Sequence, residues 1–275
     1  MKSKKVLFIT QEMTPYVSES KMAQDGRKLP QEMQESGCEI RTFMPRWGII
    51  NERRNQLHEV IRLSGMNIII DDTDHPLIIK VASIPAARMQ VYFIDNDDYF
   101  HKRAMMVDEE GKEYADNVER AVFYARGVLE TVKKLRWCPD VIYCQGWMSA
   151  VAAFYIKTAY REEPPFAEAK VVFAAYNEMP DARLAEHMLE CLTFRDANAA
   201  SLEAAGVDLS QPDALGRLAV AFSDGVIESE AGAQPELISL AESTGKPVLK
   251  FSEETPVAPR YNEFFATVCG DEAAE

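Results

Sequence analysis

The chain has 275 residues, 47% of them hydrophobic, and 44 acidic against 30 basic side chains give a formal net charge of −14. That length allows one large α/β domain or two small ones, with ample apolar material for a core. The charge excludes binding of nucleic acid or an anionic membrane through a general basic surface, leaving room only for a local basic pocket. Five cysteines, Cys38, Cys138, Cys144, Cys191 and Cys269, form no CxxC pair and are odd in number. Reduced thiols are the expectation, with neither a disulfide framework nor a zinc knuckle.

The N-terminal MKSKKVLFIT has an apolar run too short for a signal peptide, and no run in the chain is long enough to span a membrane. A cytoplasmic protein with no membrane partner is expected. Val6–Thr10 reads instead as a buried first strand, followed one helix later by Glu39–Met44, which makes a βαβ unit. Asn51–Asp74 is mixed in character and ends in the acidic turn DDTDH. Leu77–Ser83 and Met89–Ile94 lie a few residues apart and read as an antiparallel hairpin or insertion. Val118, Val122, Ala125, Leu129 and Val132 form one apolar stripe, which predicts a helix over Asn117–Leu135. Asp116 and Glu119 have capping-box spacing at its start, and Pro139 is the expected stop. Asp140–Cys144, Lys170–Ala175, Gly225–Ser229 and Pro247–Phe251 continue the strands, and GDEAAE reads as a frayed tail.

Strands alternating with helices predict an α/β fold: a Rossmann-like, doubly wound, mostly parallel sheet with helices on both faces, plus a small hairpin insertion. In such a sheet the loop after the first strand meets a phosphate-bearing ligand, and that loop usually needs glycine. Here no glycine lies between Met1 and Gly26; the loop offers Ser18, Glu19, Ser20 and Lys21. The histidines His58, His75, His101 and His187 are scattered without metal-ligand spacing, and no Walker, GxGxxG or GxSxG pattern occurs. Neither a metal nor a cofactor is called for.

Several long strings carry a resemblance. KVLFITQEMTPY is similar to KVLFVxSExxPF, VYFIDNDDYF to VYFIDNxxYF, and GRKLPQEMQESGCEIRTFMPRWG to ALPKALxxxGHEVRxxxPxY. DNVERAVFYARGVLETVKKLRWCPDVIYCQGW and FSDGVIESE follow in order. Together they resemble the N-terminal, acceptor-side domain of bacterial glycogen and starch synthases, glycosyltransferase family 5, over roughly Lys4 to Glu230. The resemblance implies a GT-B-type domain, of which residues 1–275 form one: a core of about 4–230, an extension over 231–275, and no second Rossmann-like domain. It also implies transfer of glucose from a nucleotide sugar to an α-1,4-glucan, with retention, in a cleft between two domains. A diphosphate leaving group there needs positive charge and backbone donors.

The chain departs from the family at three motifs. Lys-x-Gly-Gly-Leu aligns with Ser18-Glu19-Ser20-Lys21-Met22, and His-x-His-Asp-Trp with Tyr143-Cys144-Gln145-Gly146-Trp147. The family's His-Asn aligns with Tyr176-Asn177. No residue is therefore assigned a catalytic role. The candidate binding residues are Glu12, Tyr16, Ser18, Lys21, Gln145, Trp147, Tyr176 and Asn177. Blander roles stand beside them: a cap or solvated carboxylate for Glu12, a solvated helix-start cation for Lys21, and packing for Trp147. Asp95-Asn96 suggest an Asx-type turn, and Arg46 a surface salt bridge.

The resemblance implies a synthase-like protein that is non-catalytic alone, with α-glucan, a glycogen-metabolism enzyme or a second copy of itself as partner. Two alternatives remain. One is an active glucosyltransferase completed by a partner subunit, with Lys21 as a displaced cation. The other is a scaffold for an unrelated partner.

Overall fold

The computed structural model describes residues 3–271. The chain opens with β1 (Lys5–Ile9), α1 (Lys21–Glu35) and β2 (Glu39–Pro45). β3 (His58–Glu59), β4 (Met66–Ile70) and β5 (Thr73–Ile84) come next, then β6 (Met89–Asp95), α2 (Asp97–Phe100) and α3 (Asn117–Leu135). The second half holds β7 (Val141–Gln145), α4 (Ala150–Lys157), β8 (Lys170–Ala175), α5 (Met188–Leu192), α6 (Ala199–Ala204) and α7 (Ala214–Phe222). β9 (Gly225–Glu228), α8 (Pro235–Ser243), β10 (Val248–Leu249) and α9 (Ala258–Cys269) complete it.

The strands line up as β10-β9-β8-β7-β1-β2-β6-β5-β3, with β4 paired to β5. From β10 to β6 every pairing is parallel; β5 runs antiparallel to β6, β3 and β4. Central strands covered on both faces need apolar side chains on both, which explains their unbroken runs. In β1, Leu7 and Ile9 enter one hydrophobic core, and Val6 and Phe8 the other. α1 and α9 cover one face through Met22, Leu29, Met33, Phe264 and Phe265; α3, α4, α7 and α8 contribute to the other core. The doubly wound α/β expectation is met.

The expected hairpin is present, but it extends the main sheet: β6 pairs in parallel with β2, and β5 follows it antiparallel. β4, within the segment expected to be mixed, forms a second hairpin with β5 across a turn at Asp71, whose φ is +51°. Residues 231–271, expected as an extension, add β10 to the sheet and α8 and α9 to its two faces. Of the expected tail, Asp271 accepts a bond from Lys4, and residues 272–275 lie outside the described residues.

α3 spans the predicted residues, and its whole apolar stripe is buried. Its ends differ from expectation. Asp116 makes no capping bond, because Arg103 holds its carboxylate through both Nη atoms, and Glu119 accepts from Tyr99. The helix stops three residues before Pro139, where Arg136 turns left-handed at φ +51°. Arg46 is not a surface residue: it is buried, and its Nε lies 3.1 Å from Asp95, which Lys80 also approaches to 2.8 Å. Asn96 does form its turn, accepting from the backbone of Asp98 and Tyr99 to cap α2.

A carboxylate-lined crevice at the strand-order switch

Strand order reverses at β1, with β7 on one side and β2 on the other. In open α/β sheets the ligand crevice lies outside the carboxyl ends of the strands at this point. Four segments emerge there: the loop after β1, and the residues following β7, β8 and β9.

The base of the crevice is a closed hydrogen-bond network. Oε1 of Gln145, the last residue of β7, accepts from the backbone N–H of Gln11 at 3.1 Å and of Glu12 at 3.4 Å. Its Nε2 donates to the Met22 carbonyl at 3.0 Å and to the Tyr176 hydroxyl at 3.4 Å. Tyr176 in turn donates to Asp25 at 3.0 Å. The Gln11 side chain donates to Glu178 at 2.7 Å and to Glu12 at 3.4 Å, and it accepts from the Met148 amide at 3.2 Å. Trp47 donates to the Gln11 carbonyl at 2.8 Å. Buried amides stay satisfied only through such exchange, so these side chains are committed to the protein.

Two glycines make the arrangement possible. Gly146 has φ +70° and ψ −177°, a region restricted to glycine, and a Cβ there would stand 2.6 Å from Gln11 Oε1. Gly26 lets α1 press against the loop after β1, since its Cβ would meet the Glu12 carbonyl oxygen at 2.0 Å. The first glycine in the sequence thus serves helix packing rather than phosphate approach.

Above the base, carboxyl groups dominate. Glu12 is only 4% exposed and accepts from Ser20 at 2.6 Å; Ser20 is itself the N-cap of α1, with its Oγ accepting from Ala23. Glu12 is therefore neither a cap nor a solvated carboxylate, but it holds the cap. Burial pushes its pKa up, bonds from Ser20 and Gln11 oppose this, and the Glu230 charge adds to it. Burial also raises Glu178, and the charge of Glu12 raises it further. Glu230 accepts from the Asn177 amide at 3.0 Å. The cation nearest in the hydrogen-bond chain is Lys21, paired with Asp25. Like charges about 4 Å apart cost roughly 4 kcal/mol near a protein surface. Gathered carboxylates disfavour an added anion in general, and they can accept bonds from neutral hydroxyls.

The eight sequence candidates divide by accessibility. Glu12, Gln145 and Tyr176 meet in the network just described. Tyr16 is buried edge-on against Phe93, its hydroxyl has no partner, and burial pushes its pKa up to about 12. Trp147 is 0% exposed, 6.5 Å from Trp47 between ring centres, and offers no face to a sugar in this conformation. Its N–H lies near enough to Glu178 to oppose that carboxyl's shift, without the alignment of a true hydrogen bond. Ser18 and Asn177 are exposed. Lys21 is exposed at the first position of α1 and bonded to Asp25. Gln11, Glu178 and Glu230 were not singled out from sequence. Each follows the end of a strand that reaches the crevice, and that was the available signal.

Mostly parallel strands, helices on both faces and a crevice at the switch point define a Rossmann-like domain of the GT-B glycosyltransferase kind. The sequence profile described as starch synthase catalytic domain matches residues 5–240, and the chain belongs to that family. It is 35% identical over 174 residues to a glycogen synthase of Chlorobium limicola and 37% identical over 174 residues to one of Chlorobaculum tepidum. Each alignment covers 63% of this chain and 36% of the relative, so the chain matches about a third of each relative's length. Such partial coverage fits an N-terminal-type domain. The catalytic domain of starch synthase IV from Arabidopsis thaliana, solved with ADP and acarbose, superposes with a TM-score of 0.69 at 16% identity. That match covers 90% of this chain and 51% of the plant chain, and at this identity it speaks for the fold. Among the described residues no cluster of three or more His, Cys, Asp or Glu is placed to hold a metal, and no helix is long and apolar enough to cross a membrane.

Proposed function

We propose that this chain is an acceptor-side, synthase-like module that binds α-1,4-glucan and does not transfer glucose by itself. One observation carries the reading: Glu12, Glu178 and Glu230 gather beyond the carboxyl ends of β1, β8 and β9, over a base closed by Gln11, Gln145 and Tyr176. Neutral polyhydroxyl ligands suit such a lining, because each hydroxyl can donate to a carboxylate. A nucleotide diphosphate suits it less, because its charge would face three carboxylates rather than the cations a leaving diphosphate needs. The plant relative was solved with both ADP and acarbose; only the carbohydrate half of that pair is carried over here.

The reading includes a protein partner, either an enzyme of glycogen metabolism or a second copy of this chain. Ile49, 51% exposed in the loop after β2, is an apolar point for such a contact. Cytoplasmic residence belongs to the same proposal, supported by five free cysteines.

The test is retardation of the purified chain in a native gel containing glycogen, run beside a glucosyl-transfer assay. Retardation that Glu178→Ala reduces several-fold, with no transfer from a nucleotide-activated glucose, is expected. Transfer by the chain alone, or mobility unchanged by glycogen, would overturn the reading.

A further inference from the structure

A second concave site lies across α1 from the crevice. It is framed by the first turns of α1, the ends of β9 and β10, and the start of α9. Four cations line it, Lys21, Lys28, Lys250 and Arg260, against two carboxylates, Asp25 and Glu228. In a chain of net charge −14 the lining itself carries more cations than carboxylates, although Glu32, Glu242 and Glu254 pair with three of the cations from just outside it. The negative charge is already engaged. Asp25 accepts from Tyr176 as well as Lys21, and Glu228 accepts from the backbone N–H of Gly232 and Phe251.

The positive charge is less committed. Lys21 and Lys28 are held by i,i+4 pairs and Lys250 by Glu242, all three with side chains about half exposed. Such pairs are worth roughly 0–1 kcal/mol and exchange readily for a better anion. Arg260 donates one Nη to the Lys250 carbonyl at 2.9 Å, and its Nε lies 3.8 Å from Glu254. That anchors the guanidinium at the rim and leaves its other Nη for a ligand. Ser229 also lines the site; it is 4% exposed, and its Oγ has no hydrogen-bond partner. A buried hydroxyl without a partner is costly, and a ligand oxygen would satisfy it. The enclosed volume is about 40 Å³. At roughly 10–15 Å³ for each water, that is room for one phosphate group, with anything attached to it left outside.

We propose that this pocket binds a phosphate group, held by Arg260, Lys250, Lys21 and Lys28, with the Ser229 hydroxyl completing the contact. Arginine and lysine give charge-assisted bonds to phosphate oxygens. The group is either inorganic phosphate or the phosphoryl end of a sugar phosphomonoester. The proposal does not rest on Glu12, Glu178 or Glu230 of the glucan reading; the pocket meets that network only at Asp25, which accepts from Tyr176.

The test is ³¹P line broadening of inorganic phosphate titrated with the full chain, repeated with a hexose monophosphate. Saturable broadening is expected in the millimolar range or tighter. Arg260→Gln should weaken it by about tenfold, the scale of one lost charge-assisted pair. Ser229→Ala should weaken it several-fold with the circular dichroism unchanged. Should Arg260→Gln fail to fold, Lys250→Gln, at an exposed position, carries the same expectation. Tighter binding of the hexose monophosphate would assign the pocket to phosphomonoesters, and equal binding to phosphate itself. No broadening with either probe, or broadening that neither basic variant alters, would overturn the proposal.

Discussion

Two halves of the sheet carry the family resemblance differently. On the β2–β6 side the matching strings are long, and their polar residues build the scaffold. Asp95 is 1% exposed and holds Arg46 and Lys80; Asn96 caps α2; Arg120 is fully buried and donates to the carbonyls of Tyr99, Ala104 and Met105. Burial lowers the Arg120 pKa to about 10, and its guanidinium lies 5.1 Å from the Trp47 ring centre. On the β1–β7–β8 side the three altered motifs meet in the crevice, where Gln145, Gly146 and Tyr176 form a self-satisfied network. What matches is what holds the core, and what departs is what would face a donor. The resemblance is therefore a guide to fold on one side and a poor guide to chemistry on the other.

That contrast can be broken at four points. The largest effect should come from Asp95→Ala, which strands Arg46 and Lys80 without their buried partner. Breaking a buried pair costs about 3–5 kcal/mol, read as a lower urea midpoint at unchanged slope. A loss below about 1 kcal/mol would mean that Glu52, 3.1 Å from Arg46 and 2.7 Å from Lys80, carries the cluster. Next, Gly26→Ala should cost about 3 kcal/mol, because the new Cβ meets a backbone carbonyl and α1 must move. It should also abolish retardation by glycogen; wild-type stability would mean that the loop after β1 is soft.

Gln145→Ala should cost about 2 kcal/mol, by leaving the Gln11 amide and the Met22 carbonyl without their buried partner. A neutral outcome would show that water replaces the network. The smallest effect is expected from Glu178→Gln and depends on pH. The Glu178 pKa is raised above its ordinary 4.5, chiefly by burial, so ionisation penalises the folded state. The penalty is absent below the ordinary pKa, grows as pH rises through the folded value, and is complete above it. Glu178→Gln should thus raise the melting temperature at neutral pH, with the gain fading as pH falls toward 4.5. A gain that does not change with pH would remove the carboxyl charge from the account.

Much of the scaffold was legible in the sequence. α3 was readable from its five-residue stripe, and β1 to within a residue, because both are buried apolar periodicities. β4 was missed although Ser64-Gly65 and Asp71-Asp72 bound it, because MNIII is only five residues long and does not alternate cleanly within a mixed stretch. The capping box failed because Arg103, thirteen residues upstream, claims Asp116. At the crevice, Glu12, Gln145 and Tyr176 were legible through the resemblance. Gln11, Glu178 and Glu230 were not, because their meaning depends on which strand ends adjoin. The role of Gly26 rests on its distance to the Glu12 carbonyl, a contact between a helix and the loop before it that no pattern encodes.

The central claim is that the crevice accepts hydroxyls and refuses a diphosphate. The most direct measurement is calorimetric titration of the full chain with maltoheptaose and, separately, with ADP-glucose. Saturable heat with maltoheptaose that Glu178→Ala suppresses, and none with ADP-glucose, is the predicted result. Saturable binding of ADP-glucose in the absence of glucan, with no heat from maltoheptaose, would contradict it.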